Sequence, residues 1–324
     1  MDDGGGSSLC FPNLNSSCRR LLLPSLKTAL LYVLLAFVSL LTVILNLLVI
    51  ISISHFRQLH TPTNALLLSL AGSDLVVGLL VMPMEGVRYL ETCWLLGRLM
   101  CALTPFLSYC LLSGSLGHMV LISVDRYLAI CQPLLYPSRV TLSRVVFLIC
   151  LCWGCSALYN GCILMGHLQR PHRVHTCHGE CVVVISHTSG TVDLFFSLVG
   201  PCSVMLGLYA RVFVAAVSQV SRLQTVPSVP TVKRSEWKAA RTLGIVIAVF
   251  LMCFCPYYYP SLAGEDTTTK LSYYAVLSWV MLLNSCMNPL IYALFYPWFR
   301  KTTRLIVTLK ILQLGSINSD SFPG

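Results

Sequence analysis

The chain carries little charge. Asp, Glu, Lys and Arg make up 10% of its 324 residues, 56% are hydrophobic, and mean hydropathy is +0.76. A soluble domain carries about 25% charged residues, so this composition excludes one and indicates a polytopic membrane protein. Other absences narrow the class. No Ser/His/Asp constellation and no Cys or His run of metal-ligand spacing occurs, and the eight histidines fall mostly in loops, which argues against an enzyme. No internal repeat is found, which weighs against a transporter built from inverted halves. The first residues, MDDGGGSSLCFPNLNSSCRR, lack a basic segment followed by an apolar one, so no cleavable signal is expected and the first apolar block serves as signal anchor. No cysteine follows Phe299, so no thioester lipidation of the tail is expected. The net charge of +10 is dispersed between apolar blocks, a membrane-sided pattern that excludes a nucleic-acid partner.

Seven apolar blocks are present, at 29–54, 63–89, 97–130, 143–166, 190–217, 238–262 and 271–295. Each is predicted to be a helix, because in hydrocarbon every backbone polar group must be satisfied within its own segment. The organisation expected is an extracellular N-terminus (1–28), a seven-transmembrane domain (29–295), and an amphipathic helix with a short cytoplasmic tail (296–324). Alternating the loops places 14 of the 22 Lys and Arg on one side, which positive-inside assigns to the cytoplasm. The N-terminus is then outside, where Asn15-Ser16-Ser17 is a glycosylation sequon. Tyr296-Pro297-Trp298-Phe299-Arg300-Lys301 opens a basic amphipathic stretch suited to the inner lipid surface. Pro83, Pro201, Pro256 and Pro289 predict kinks.

Of the sixteen cysteines, most lie in apolar blocks and act as small hydrophobes, whereas Cys10, Cys18, Cys101, Cys177 and Cys181 fall in or beside outer segments. CxxxC spacing at Cys177 and Cys181 points to disulfides.

The third block joins the two sides. From Cys101 to Asp125 a helix rises about 36 Å, enough to cross hydrocarbon about 30 Å thick. It ends in Asp125-Arg126-Tyr127, an acid–base couple at the cytoplasmic margin that a membrane helix does not need for stability. Arg126 can pair with Asp125, and with Glu236 at the start of helix six, as part of a switch that opens when helix six swings outward.

Acids within membrane spans are functional hypotheses by default. Asp74 sits mid-helix at the depth of Asn46, Ser115, Asn284, Ser285 and Asn288, together a candidate sodium pocket or, alternatively, a buried network without an ion. Asp193 lies eight residues before Pro201 in the outer half of helix five, a stretch without Lys or Arg. Its positive partner is expected from outside, as a ligand ammonium. Phe254, Tyr257 and Tyr258 flank Pro256, Tyr274 and Trp279 lie on helix seven, and Phe195 and Phe196 follow Asp193, so an aromatic cage for a cation is expected. Glu85 and Arg88 either pair with each other or leave Glu85 as a second contact for a diamine.

These motifs resemble the rhodopsin-like G-protein-coupled receptors. They are Leu45-Asn46, LSLAGSD, Cys101, Asp125-Arg126-Tyr127, Trp153, Pro201 with Tyr209, Cys253-Phe254-Cys255-Pro256, and Asn288-Pro289-Leu290-Ile291-Tyr292. LNSCMNPLIYALFYPWFRK, EWKAARTLGIVIAVFLMCFCP and CHGEC resemble, more narrowly, the trace amine-associated receptors. The resemblance implies a chemosensory, olfactory-type amine receptor of the plasma membrane, coupled to a stimulatory G protein and cyclic AMP. It implies a switch built from Asp125, Arg126, Tyr127, Tyr209, Glu236, Phe250, Phe254, Asn288, Pro289 and Tyr292. It also implies a Cys101–Cys181 disulfide and a bond from Cys177 to the amino terminus, Cys10 being the expected partner and Cys18 the alternative. Two departures stand out. The acid that aminergic receptors carry 18 residues before Arg126 is Ser108 here, and a subset of fish receptors is similar in carrying the acid where Asp193 stands. Phe254 replaces the helix-six tryptophan. The expected ligand site is therefore Asp193 with Phe254, Tyr257, Tyr258, Tyr274 and Trp279, and with Ser108, Cys110 and Ser197 as polar or shaping contacts. A receptor for a non-amine ligand is the rival within the class.

Overall fold

The computed structural model describes residues 9–14, 16–18, 25–91, 93–169, 177, 179–181, 187–223, 241, 244–258 and 271–308. Asn15 and Glu236 lie outside the described residues, as does the side chain of Tyr274. The chain forms an all-α bundle. Its helices are α1 (Ser25–His55), α2 (Pro62–Leu90), α3 (Gly97–Cys131), α4 (Leu142–Gln169), α5 (residues 187–223), α6 (Gly244–Tyr258), α7 (residues 271–295) and α8 (Pro297–Val307). A short helix, Tyr136–Arg139, joins α3 to α4. Among the described residues, six helices are long and apolar enough to cross a membrane, and α6 is a shorter apolar one.

The helices face lipid and bundle as their periodicity dictates. In α1, Thr42, Asn46, Val49 and Ile53 are buried at helical spacing, whereas Leu30, Val33, Leu34, Phe37, Leu40 and Ile44 are exposed. α3 is the central post, packed against α2, α4 and α5. Its approach to α4 needs glycine, because a Cβ at Gly114 would enter the Trp153 ring and one at Gly117 would strike Cys152 Sγ. The interface is then sealed by a polar chain. Trp153 Nε1 donates to Ser69 Oγ at 3.1 Å, Ser69 Oγ lies 2.8 Å from His118 Nε2, and His118 Nδ1 lies 2.7 Å from the Gly114 carbonyl. A carbonyl can only accept, so this network assigns the His118 proton to Nδ1 and a lone pair to Nε2.

The prolines act as local rearrangements. A π-turn at Val77–Val81 precedes Pro83 and another at Phe195–Val199 precedes Pro201, while α7 is interrupted between its segments Leu271–Leu282 and Asn284–Phe295. Pro289 has no N–H for the Ser285 carbonyl, and Asn46 Nδ2 donates to that carbonyl at 3.0 Å from α1. Pro105 lies inside α3 without interrupting it.

On the outer side three disulfides form: Cys10–Cys93, Cys18–Cys177 and Cys101–Cys181. The Cys101–Cys181 expectation holds, but Cys177 pairs with Cys18 and not with Cys10, and Cys93 enters as a sixth outer cysteine. The reason is local. Tight turns between Phe11 and Ser17 fold the N-terminal segment back, with Cys10 N donating to Cys18 O at 2.9 Å, so the two cysteines stand side by side and reach different loops. Gly179, at φ +101, lets Cys10 and Phe11 approach its Cα, and its carbonyl accepts from Trp94 N at 2.8 Å, next to Cys93.

α8 begins at Pro297, buries Phe299 and Thr302, exposes Arg300, Lys301 and Arg304, and packs on α1 and α7. Non-reducing proteolysis with mass spectrometry should return peptides linking Cys10 to Cys93 and Cys18 to Cys177; a Cys10–Cys177 peptide as the main product would contradict the pairing.

Candidate functional site

The outer half of α5 places Asp193 inward, four residues before Ser197 on the same face, and both are buried. Three hydroxyls converge on the carboxylate. Ser197 Oγ donates to Oδ1 at 2.8 Å, Tyr159 of α4 donates to Oδ1 at 3.0 Å, and Tyr258 of α6 donates to Oδ2 at 2.9 Å. Hydrogen bonds to an ionised acceptor contribute roughly 1.5–3 kcal/mol each. No basic side chain bonds to Asp193 among the described residues. Three donors leave part of its acceptor capacity free, and among the described residues no cation balances its charge.

The aromatic groups divide. Tyr258 touches the acid and meets Tyr257 edge-on at 5.2 Å, and Tyr257 shares a 2.8 Å hydrogen bond with Tyr109 of α3. One turn deeper, Phe254 is buried and stacks on Phe250 at 4.3 Å. Trp279 is half-buried against the same core. Phe195 and Phe196 do not join them: they are 57% and 68% exposed on the lipid-facing side of the π-turn, so that part of the expected cage is corrected. Ser108 is buried and lines a small cavity with Tyr109 and Tyr257. Cys110 faces α4, its Sγ 4.0 Å from the Ser156 carbonyl. In the cavity's outer wall Glu85 and Arg88 are paired, Nε to Oε2 at 3.0 Å.

Deeper in the bundle Asp74 is fully buried and accepts from Asn288 Nδ2 at 2.8 Å. Its Oδ1, together with Asn46 Oδ1, Asn284 Oδ1 and Ser285 Oγ, has no hydrogen-bond partner. Ser115 and Ser285 stand beside the carboxylate, and Ser115 Oγ lies 3.1 Å from Ser73 Oγ. A carboxylate with several unpaired neutral oxygens is the donor set a hard monovalent cation takes, so these residues fit a sodium ion.

At the cytoplasmic margin Arg126 donates to Asp125, with Nε at 3.0 Å, and through Nη2 to Thr63 Oγ1 at 2.8 Å. Asp125 also accepts from Thr63 at 3.0 Å and from Tyr136 at 2.8 Å. Burial holds the Tyr136 phenol above its ordinary value, so it remains a donor at physiological pH. Tyr127 is half-buried against the core. Tyr209 of α5 reaches α6, where a Cβ on Gly244 would sit 2.8 Å from its hydroxyl, and Tyr292 is buried with its ring 5.9 Å from that of Tyr296.

Tyr159, Tyr109, Tyr89, Ser278, Thr63 and Tyr136 were not anticipated. Each is a lone hydroxyl in an apolar or interfacial run, and no spacing rule within its own segment points to a partner on another helix.

The fold is thus a seven-helix membrane bundle with a polar site near one face and a hydrogen-bonded Asp–Arg couple at the other. Residues 45–292 match the family described as 7 transmembrane receptor (rhodopsin family). The chain is 37% identical to trace amine-associated receptor 13c of Danio rerio, covering 98% of this chain and 96% of that one. It is 38% identical to trace amine-associated receptor 7e of Mus musculus (98% and 93% covered), and 36% to trace amine-associated receptor 6 of Homo sapiens (97% and 95%). The chain belongs to the rhodopsin family of seven-transmembrane receptors and, within it, to the trace amine-associated receptors. As such it is a multi-pass protein of the plasma membrane, with a small-molecule ligand on one side and a heterotrimeric G protein on the other.

Thr63→Val keeps the side-chain shape and removes one contact each to Asp125, Arg126 and Tyr136. Basal G-protein activation should rise about 2–10-fold, the equivalent of one ordinary hydrogen bond. Unchanged basal activity at equal surface expression would mean that Thr63 does not restrain the couple.

Proposed function

We propose that the protein is a chemosensory receptor of the olfactory type for small amines, in which the ligand ammonium pairs with Asp193 and the signal passes through a stimulatory G protein to cyclic AMP. The observation that carries this reading is the buried Asp193 carboxylate, held by three neutral hydroxyls and no cation among the described residues. An ammonium adds the missing positive charge and uses the acceptor capacity that three donors leave on two oxygens. The names of the relatives agree with an amine, and by the resemblance to aminergic receptors Ser108 stands at the position of their helix-three acid.

Tyr258 carries the event to α6. A ligand that competes for Asp193 alters the one hydrogen bond by which α6 holds this acid, and Phe254, one turn below on the same face, transmits the shift to its stacked partner Phe250. Release of Arg126 from Asp125 and Thr63 then opens the cytoplasmic side. With Phe254 in place of tryptophan, the smaller ring lowers the resistance to this repacking.

A sodium ion held by Asp74, Ser115, Asn284, Ser285 and Asn288 is part of the same proposal. It supplies positive charge to a carboxylate that otherwise has none, and ties α2, α3 and α7 in the restrained arrangement.

Asp193→Asn preserves size and removes charge. Across mono- and diamines, cyclic AMP responses in cells should lose about 100-fold or more in potency with surface expression retained. A variant as potent as wild type would make Asp193 structural and favour a non-amine ligand. Replacing sodium by choline in the medium should raise agonist potency about 3–10-fold in wild type but not in Asp74→Asn, since a ligand of the restrained state opposes the agonist. Equal shifts in both would remove the ion from Asp74.

A further inference from the structure

A small cavity between α2, α3, α6 and α7 lies next to the Asp193 site, which does not line it, and has a polar wall of its own. Its lining includes Glu85, Arg88, Tyr89, Tyr109, Tyr257 and Ser278. The hydroxyls relay across it. Arg88 Nη2 donates to Tyr89 Oη at 2.7 Å, and Tyr89 Oη is 3.1 Å from Ser278 Oγ. Tyr109 and Tyr257 face each other at 2.8 Å, and Tyr258, the next residue, bonds to Asp193. The Tyr109–Tyr257 pair therefore stands between the acid on α5 and the ion pair on α2, in ring contact with Tyr258 on one side and beside the Arg88–Tyr89–Ser278 group across the cavity.

The pair is lopsided. Arg88 directs both Nε and Nη2 at a single oxygen, Oε2, of Glu85. Among the described residues, Glu85 Oε1 and Arg88 Nη1 take no hydrogen-bond partner although both side chains are about nine-tenths buried. The subsite thus offers one acceptor and one donor beside a net charge of zero. A second ammonium arriving there meets the guanidinium, and a carboxylate meets Glu85, each a like-charge encounter in a poorly screened site. A hydroxyl can donate to Oε1 or accept from Nη1 without a like-charge encounter at either.

We propose that Glu85 and Arg88 form the specificity-determining subsite for the distal end of the ligand, selecting a monoamine that ends in an uncharged hydrogen-bonding group over a diamine or an amino acid. Arg88 is the residue that withholds Glu85 from a second ammonium. This rests on the ammonium lying at Asp193, and the two claims fail separately.

The test uses the purified full chain in lipid nanodiscs, with ligand-induced thermal stabilisation as readout, so that no G protein is needed. The probes are n-alkylamines, ω-amino alcohols, α,ω-diamines and ω-amino acids of three to eight carbons. Wild type should bind the amino alcohol about tenfold more tightly than the diamine of equal length. Arg88→Gln, which leaves Glu85 bare, should reverse that order in favour of the diamine, and Glu85→Gln should improve the amino acid about tenfold. Arg88→Lys and the double variant Glu85→Gln/Arg88→Gln keep the subsite neutral and should retain the wild-type order, which separates charge from misfolding. A diamine preferred by wild type, or a diamine-to-alcohol ratio unmoved by Arg88→Gln, overturns the proposal. If Asp193→Asn binds the whole series as wild type does, the amine site is misplaced, whatever the Glu85 and Arg88 variants show.

Discussion

A backbone carbonyl that loses its helical partner inside a bilayer has no water to turn to, and this constraint organises the receptor more than any single contact does. Pro289 frees the Ser285 carbonyl, and Asn46 answers it from α1. That one hydrogen bond brings α1 against α7 beside Asp74, whose own carboxylate is held by Asn288, one residue before the same proline. The polar centre of the bundle is thus assembled around a defect in a helix. Pro201 acts similarly in α5, where the π-turn ahead of it aims Asp193 and Ser197 inward and Phe195 and Phe196 outward.

The same logic links the two ends of the molecule. Asp193 is held by hydroxyls from three helices, α4, α5 and α6, and Asp125 by groups from α2, α3 and the short helix before α4. Each acid is a hub shared among three elements. Weakening one bond at either hub changes the relation between helices without exposing a bare charge, because the other donors remain.

Much of this was legible in the residues. The seven spans, the sidedness and the Asp74, Asp125 and Asp193 positions follow from apolar length, Lys/Arg bias and the rarity of membrane acids, all properties of a segment taken alone. What escaped depends on other segments. Cys93 sits in a six-residue outer turn and looks like any small residue until the fold-back from Phe11 to Ser17 brings Cys10 over it. Tyr159 is one hydroxyl in an apolar helix, and only the angle between α4 and α5 makes it a donor to Asp193. Phe195 and Phe196 misled for the converse reason: an uninterrupted α-helix and a π-turn give different faces to the same sequence.

The outer disulfides have a mechanical meaning. They staple the N-terminus to the α2–α3 turn, the N-terminus to the α4–α5 loop, and α3 to that same loop, whereas the cysteines of α6 and α7, Cys253, Cys255 and Cys286, are free thiols. Five helices therefore share a covalent collar at one face, and two hang from it unpinned. Sulfur thus ties the first five helices together at the outer face, while α6 and α7 are held there by non-covalent contacts and chain continuity alone.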